Sequence, residues 1–212
     1  MLFRYFGQQA AWERKGFRFK MPIKLLDSTL VSLTISVYDW AHYTTSKGAV
    51  KMHTLLDYDC LLPEFMNITG GKRTDNKAAF DIEIKPHSIV VADRGYCDYG
   101  LLNHWDSNNV FYVVRHKDDI QHRTIKELPL PEKHAQNVLL DEIIEFELPT
   151  AKDKCPKRLR RIAVWDEEHG FVIELLSNNV TLAASTIAKL YKARWNIEIF
   201  FHNLKQLLRI KS

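Results

Sequence analysis

Four side chains suited to phosphate chemistry lie in residues 191–205, YKARWNIEIFFHNLK. On one continuous helix, at about 100° per residue, four polar positions fall within roughly 60° of one another: Tyr191, Arg194, Glu198 and Lys205. A phenol, a guanidinium and an ammonium can hold phosphate, and a carboxylate can hold a metal ion. This face therefore carries the groups that an enzyme cutting or joining nucleic acid needs.

The same helix has a simpler interpretation. Arg194 and Glu198 are four residues apart, so they could form a surface ion pair worth about 0.3–0.5 kcal/mol, with Tyr191 and Lys205 as solvated neighbours. Beside the polar positions, the periodicity predicts an apolar stripe that packs into a core: Ala193, Ile197, Phe200, Phe201, Leu204, Leu207 and Leu208. The helix taken alone leaves both interpretations open.

Two aspartates occupy positions where α/β proteins often present reactive groups. Asp27 has apolar residues on both sides, which predicts a strand, and an unpaired carboxylate there needs a cation or hydrogen-bond donors. Asp93 ends the apolar run SIVVA, although an Asp before a Gly turn is as often structural. If the two strands are neighbours and the last helix packs against them, both aspartates converge with Glu198. Such a site could hold two magnesium ions roughly 3.5–4 Å apart for in-line phosphoryl displacement.

The order of predicted elements describes a mixed α/β sheet flanked by helices. Strand patterns cover 23–37, 47–56, 63–69, 88–92 and 110–115, and helix patterns cover 74–84 and 98–105. Prolines interrupt the following segment, which contains further strand patterns at 141–148, 160–166 and 171–177. We therefore predict an N-terminal extension at 1–21, a core formed by 22–116 and 181–212, and a β-rich insertion at 117–180. The last helix is expected to begin near Thr186, with Ser185 as its cap.

Composition argues against several classes of protein. The three cysteines among 212 residues are widely spaced and form no Cys-x-x-Cys pair, which argues against a disulfide framework or a structural zinc site and fits a reducing cytoplasm. No run of about 18 apolar residues predicts a membrane span, and the opening residues do not resemble a signal peptide. The net charge of +4 permits an anionic partner, and the basic run at 152–161 is most simply a solvated loop.

Four motifs stand along the chain: Asp27-Ser-Thr, Gly48-Ala-Val-Lys51-Met-His53, Val91-Ala-Asp93-Arg94-Gly95-Tyr96, and Tyr191-x-x-Arg194-x-x-x-Glu198 with the later Lys205. Together they resemble the motifs of the bacterial insertion-sequence transposases of the IS-four group. The resemblance extends from about Pro22 to the end of the chain. It implies a ribonuclease-H-like fold, with a β-rich insertion between the second and third acids.

The resemblance also implies a chemistry and its partners. Asp27, Asp93 and Glu198 would form a DDE metal triad, which uses two magnesium or manganese ions for cut-and-paste DNA transposition. The implied partner is DNA, as transposon ends and as target, bound by a homodimer of the full-length protein at the bacterial nucleoid. No membrane is involved.

The implied DNA contacts lie on the last helix and in two further places. Tyr191, Arg194 and Lys205 would contact phosphates near the transposon end. Trp165 is a candidate for stacking with a flipped base, the alternative being a buried core Trp. Arg94 could hold the DNA backbone or pair with the neighbouring Asp93.

Lys51 and His53 alternate along a predicted strand, so their side chains should point together. For His53 a packed imidazole is the simpler expectation than a metal ligand.

Two functional hypotheses follow. The first is an active DNA transposase domain, and the second is a truncated, catalytically silent remnant that binds DNA. The retained acids favour the first. The second is favoured by the short stretches before Pro22 and after Lys205, where members of that group typically carry a recognition region and further helix. A nuclease of the same fold would share the metal site and would leave no joined products.

Overall fold

The computed structural model describes residues 16–17, 19–32, 49–117, 121–130 and 137–208. Its strands are β1 (Ile23–Ser32), β2 (Ala49–Asp57), β3 (Pro63–Gly70), β4 (Ile89–Ala92), β5 (Phe111–Arg115), β6 (His122–Glu127), β7 (Val138–Phe146), β8 (Leu159–Asp166) and β9 (Phe171–Ser177). Its helices are α1 (Asp75–Ala79), α2 (Tyr99–Ser107), α3 (Pro149–Lys154), α4 (Ala184–Ala193) and α5 (Trp195–Leu207), and a 3₁₀ turn occupies Arg94–Tyr96. The strands form one mixed sheet in the order β3-β2-β1-β4-β5-β9-β8-β7-β6.

Three parallel strands lie side by side at the centre of the sheet, and the first of them, β1, continues beyond the residues that pair with β4. β4 pairs in parallel with both β1 and β5, while β2 and β3 add an antiparallel hairpin beside β1. The pairing ends with Leu26 opposite Ala92 and with Ala92 opposite Val114. Asp27 follows Leu26, Asp93 follows Ala92, and Arg115 follows Val114. These three residues therefore lie side by side in a row across the three strands.

Side-chain alternation along the strands divides the core between the two faces of the sheet. On one face, Leu26 and Tyr112 pack in a cluster with Trp105 of α2. On the other face, Leu25 and Val113 pack with apolar residues of the last two helices: Ile187, Leu190, Ile197 and Phe201. Because Asp27 and Arg115 follow the alternation of Leu25 and Val113, they belong to the face that α4 and α5 cover.

The prediction of one continuous last helix is wrong. The chain turns at Arg194, where the Arg194 N–H donates to the Tyr191 carbonyl and the Ile197 N–H donates to the Arg194 carbonyl, both at 3.0 Å. Bonds of this three-residue spacing tighten the backbone and separate α4 from α5. The prediction of Ser185 as cap is also wrong, because Ala183 holds the cap position and makes no side-chain hydrogen bond there.

Other boundaries differ from the predicted ones for local reasons. The helix predicted over 74–84 ends at Ala79, after which the chain makes a turn. β6 was not predicted because its sequence HRTIKE lacks apolar alternation, and α3 was not predicted because it is short and begins at a proline. The prediction that Leu207 and Leu208 belong to the packed apolar stripe is wrong as well, because they are 82% and 58% exposed. Positions 33–37 and 47–48 of two predicted strands lie outside the described residues.

The segment predicted as a β-rich insertion contains β6 to β9. These strands pair antiparallel in succession, and β9 pairs with β5, so they continue the central sheet. The division into an extension, a core and an insertion stays a prediction.

The basic run at 152–161 is a solvated loop only in part, because Lys157 and Arg158 are exposed between two regular elements. It spans α3 and the start of β8, where Arg160 is 4% exposed. Its guanidinium donates to both carboxylate oxygens of Asp141 at 2.7 Å and to the Leu182 carbonyl at 2.6 Å. Arg160 therefore ties β7 and β8 to the segment that leads into α4.

Cys60, Cys97 and Cys155 form no disulfide with one another. None of the helices in the described ranges has the length and apolar character needed to cross a bilayer.

Candidate active site

Asp27 and Asp93 lie on adjacent parallel strands. Asp27 follows Leu26, the last β1 residue that pairs with β4, and Asp27 itself pairs with Thr54 of β2. One of its carboxylate oxygens accepts a hydrogen bond from the Ser28 N–H at 2.8 Å. Asp93 follows β4 and caps the 3₁₀ turn by accepting from the Gly95 N–H at 2.8 Å. The chain reverses direction immediately after Asp93, which leaves its carboxylate at the sheet edge beside Asp27.

Arg194 connects Asp27 with Glu198. Its guanidinium lies 3.3 Å from Asp27 Oδ2 and 2.5 Å from Glu198 Oε1, and it lies over the Tyr191 ring at 5.8 Å from the ring centroid. Arg194 and Glu198 do form the four-residue pair expected of a surface helix. However, the arginine side chain is 16% exposed and also reaches an acid 167 positions away. The simple surface pair therefore does not describe this contact.

The electrostatics of Asp27 reflect its enclosed position. Burial raises the pKa of this carboxyl to about 7, while the Ser28 N–H and Arg194 oppose the rise. The negative charges of Asp93 and Glu198 raise it further. The three acids are thus close enough to influence one another's charge.

An open pocket of about 400 Å³ lies between β1 and α5. Asp27, Ser28, Glu198, His202 and Lys205 contribute to its walls. Lys205, placed on the polar face by the helical periodicity, therefore shares this pocket with two of the acids despite the break at Arg194.

The remaining predicted DNA contacts lie at the surface. Arg94 is exposed and makes no ion pair with any residue in the described ranges, so the expected alternative of pairing with Asp93 is wrong. Trp165 lies on β8 opposite Val172 and is 40% exposed, which makes the alternative of a buried core Trp wrong. Tyr191 is half-buried, and burial raises the pKa of its phenol, an effect that Arg194 and Arg115 oppose.

Two groups near the site were not singled out from the sequence. Arg115 ends β5, lies over the Phe171 ring at 5.3 Å and opposes the rise in the pKa of Tyr191 that burial causes. Its position at the end of a predicted buried strand was the available signal. The second is Asp75, the first residue of α1, whose carboxylate bonds to Ser28 and Lys51.

The prediction that Lys51 and His53 point together is confirmed, since both approach Asp75 Oδ1, at 2.8 and 3.6 Å. The expectation of a packed imidazole is also confirmed. His53 is 1% exposed, contacts the Thr69 hydroxyl at 3.0 Å, and has its pKa lowered mainly by burial.

The donor set at this edge suits a hard divalent cation, because Asp27, Asp93 and Glu198 offer carboxylate oxygens. Within the described ranges, no three His, Cys, Asp or Glu side chains already stand close enough to hold an ion together. The guanidinium of Arg194 lies between Asp27 and Glu198 and contacts both carboxylates. A positive group already lies where two carboxylates meet, so the residues fit a cation once Arg194 turns away.

Carboxylates on adjoining strands, with cationic and aromatic groups beside them, are the side-chain types that metal-dependent phosphoryl transfer on nucleic acids uses. The chain belongs to the Transposase DDE domain family, whose match covers residues 18–212. Two of its curated relatives are named as transposases of insertion sequence elements.

Three of these relatives match nearly the whole chain. A probable transposase for insertion sequence element IS5377 of Geobacillus stearothermophilus is 28% identical over 94% of this chain and 52% of its own length. The putative transposase y4zB of Sinorhizobium fredii is 30% identical over 90% of this chain and 53% of its own. A putative transposase for insertion sequence element IS4SA of a Synechocystis species is 27% identical over 90% and 52%, respectively. The chain thus spans about half the length of the curated relatives it matches.

Proposed function

We propose that this chain is the catalytic domain of an IS-four-group transposase, which cuts DNA at transposon ends and joins those ends to a target. The observation that carries the proposal is the contact of Arg194 with both Asp27 and Glu198, which joins the last helices to the sheet edge where Asp93 also lies. This contact supports the proposal that three acids from distant parts of the sequence serve one site.

The finer family assignment has two supports. The strand order β3-β2-β1-β4-β5, with β1, β4 and β5 parallel, supports a ribonuclease-H-like core. The motifs around Asp27, Asp93 and Glu198 support the IS-four group. The printed name of one relative contains the element name IS4SA.

In the proposed reaction Asp27, Asp93 and Glu198 hold two magnesium or manganese ions. The ions would activate the attacking oxygen and stabilise the leaving one during in-line displacement at phosphorus. Arg194 and Lys205 hold the negatively charged phosphate, and the Tyr191 hydroxyl donates to a phosphate oxygen.

The bond changes balance without an added energy source. In cleavage, a water oxygen bonds to phosphorus and the bond to the 3′ oxygen breaks. One proton of the water ends on the released 3′ oxygen, which becomes a hydroxyl, and the other goes to solvent. In strand transfer, that 3′ hydroxyl attacks a target phosphate and gives up its proton, while the target's own 3′ oxygen leaves and takes up a proton. Each step exchanges one phosphodiester or phosphate bond for another.

The proposed partner is DNA. The proposed DNA contacts are Tyr191, Arg194, Lys205, Arg94 and Trp165. Arg115 is proposed as a further contact because it lies in the same row as Asp27 and Asp93. A homodimer of the full-length protein is proposed as the working assembly. The alternative of a silent remnant is not favoured, because the acids and the phosphate-binding side chains are all retained and the family match covers residues 18–212.

The test is a nicking assay on DNA that carries a transposon end, with and without Mg²⁺. The unaltered chain should nick in the presence of Mg²⁺, and Asp27→Asn, Asp93→Asn and Glu198→Gln should each reduce nicking to background. Weak, salt-sensitive DNA binding should survive all three changes. Asp81→Asn is the matched control, because this acid is half-exposed and pairs with Arg73.

Two further results decide between the candidate functions. Joined donor and target products support transposition, whereas nicked products without joining support a nuclease. Absence of Mg²⁺-dependent cleavage by the unaltered chain, even on a pre-nicked end, contradicts the proposal.

A further inference from the structure

Asp75, the first residue of α1, lies beside the acidic site without belonging to the proposed triad. Its Oδ1 accepts a hydrogen bond from the Ser28 hydroxyl at 2.5 Å and pairs with Lys51 Nζ at 2.8 Å. His53 Nδ1 lies 3.6 Å from the same oxygen. Since Ser28 directly follows Asp27 in β1, these contacts fix Asp75 to the strand that carries the first acid.

The other oxygen of Asp75 faces the second acid. A methyl carbon built on Gly95 would lie 3.6 Å from Asp75 Oδ2 and 3.0 Å from Asp93 Oδ1. The two carboxylates therefore border the same small space next to Gly95. No group in the described part of the chain donates a hydrogen bond to Asp75 Oδ2, so this oxygen is available to a ligand.

Tyr96 independently indicates that a polar ligand belongs at this place. The residue is 1% exposed, and its hydroxyl makes no hydrogen bond of good geometry to the residues that the structure describes. Burial raises the pKa of this phenol well above 10, and the charges of Asp27, Asp75 and Asp93 raise it further, with Ser28 opposing. A buried polar group without a protein partner commonly binds water or an ion. Here the phenol lies among three carboxylates.

We infer that Asp75 is a fourth carboxylate of the metal centre, which binds the divalent cation held by Asp93 either directly or through one of its waters. The inference rests on the proposed function. Ser28 and Lys51 hold Oδ1 in place, so Oδ2 is presented toward Asp93. Lys51 also neutralises Asp75 in the ion-free protein and competes with the ion for its charge.

The roles of Asp75 and Lys51 predict effects of opposite sign on ion binding. Mn²⁺ is titrated into the intact chain without DNA, and its dissociation constant is measured by calorimetry. Asp75→Asn should weaken Mn²⁺ binding about tenfold or more, as loss of a supporting group at a metal site does. Lys51→Gln should tighten it several-fold because a competing cation is gone. Asp81→Asn, a half-exposed acid just beyond α1, should leave the affinity unchanged.

A merely structural ion pair predicts a different pattern, in which losing either partner loosens the site and weakens binding. Unchanged Mn²⁺ affinity in Asp75→Asn, or weaker binding in Lys51→Gln, therefore overturns the inference. If Asp75→Asn does not fold, Lys51→Gln alone decides, and unchanged or weaker binding again overturns it. If Asp27→Asn and Asp93→Asn lose Mn²⁺ binding while Asp75→Asn binds Mn²⁺ normally, this inference is overturned and the proposed function stays intact. No Mn²⁺ binding by the unaltered chain overturns both.

Discussion

The guanidinium of Arg194 lies between Asp27 and Glu198, 3.3 Å from Asp27 Oδ2 and 2.5 Å from Glu198 Oε1. One positive group therefore neutralises two of the three acids proposed to bind metal. The arginine side chain is largely enclosed, so salt screens these attractions weakly. A metal ion and Arg194 compete for the same carboxylates, and a phosphate that draws Arg194 away would help the ion to bind.

Replacing Arg194 by Met should tighten Mn²⁺ binding in the absence of DNA, because the competing charge is removed. A gain of about tenfold, or about 1.4 kcal/mol, is expected. The same change should weaken DNA binding, since the guanidinium is proposed to hold phosphate. Calorimetry measures the ion affinity, and fluorescence anisotropy of labelled DNA measures the second effect. Arg73→Met, which removes an exposed arginine, serves as control, and weaker Mn²⁺ binding in Arg194→Met would contradict the competition.

Asp27 should make the metal-free chain less stable as the pH rises from about 4 to about 7. Burial raises the pKa of this carboxyl from 3.8 to about 7. In this window the folded chain therefore retains a proton that the unfolded chain has released. The stabilisation from Asp27 is complete below about pH 4, declines across the window and is lost above about pH 7, a change on the order of a few kcal/mol.

Urea unfolding at pH 5 and pH 7.5, in the presence of a chelator, measures this contribution. Asp27→Asn should show a smaller loss of unfolding free energy between the two pH values than the unaltered chain. Asp81→Asn should keep the original loss, because that acid is half-exposed at the surface. Equal pH dependence in Asp27→Asn and in the unaltered chain would argue against a raised pKa.

Replacing Arg160 by Met should destabilise the fold by about 3–5 kcal/mol, since it leaves the buried carboxylate of Asp141 without its cation. The carbonyl of Leu182 loses its donor as well. Chemical denaturation measures the loss. Arg158→Met is a matched control from the same basic run, because the Arg158 side chain is 63% exposed and its removal should change stability by no more than about 0.5 kcal/mol. Similar small effects in both variants would show that the Arg160 contact contributes little.

Much of the fold could be predicted from local sequence patterns. Uninterrupted apolar runs predicted β4 and β5 within one residue, and the strand predicted at 171–177 coincides with β9. These strands are recognisable because their own side chains determine their burial. The break at Arg194 was not predictable in this way, since the surrounding sequence contains neither Gly nor Pro.

The site was predicted less completely because its contacts join distant parts of the chain. The positions of Asp27 within a strand and of Asp93 at the end of one followed from the apolar residues around them. The contact between Arg194 and Asp27 spans 167 positions, and that between Ser28 and Asp75 spans 47, so neither leaves a local signature. Periodicity placed Arg194 on the correct face, but the identity of its partner depends on how α4 and α5 pack on the sheet.

Gly95 should tolerate no side chain without disturbing Asp93. A methyl group added there would lie 3.0 Å from Asp93 Oδ1, closer than such contacts normally are, so the carboxylate must move by a few tenths of an ångström. Gly95→Ala should therefore weaken Mn²⁺ binding several-fold and slow DNA nicking, while the unfolding free energy changes by less than about 1 kcal/mol. Gly70→Ala is the control, because nothing lies within 4 Å of its added methyl. Normal Mn²⁺ affinity in Gly95→Ala would show that the position of the Asp93 carboxylate is not critical for binding the ion.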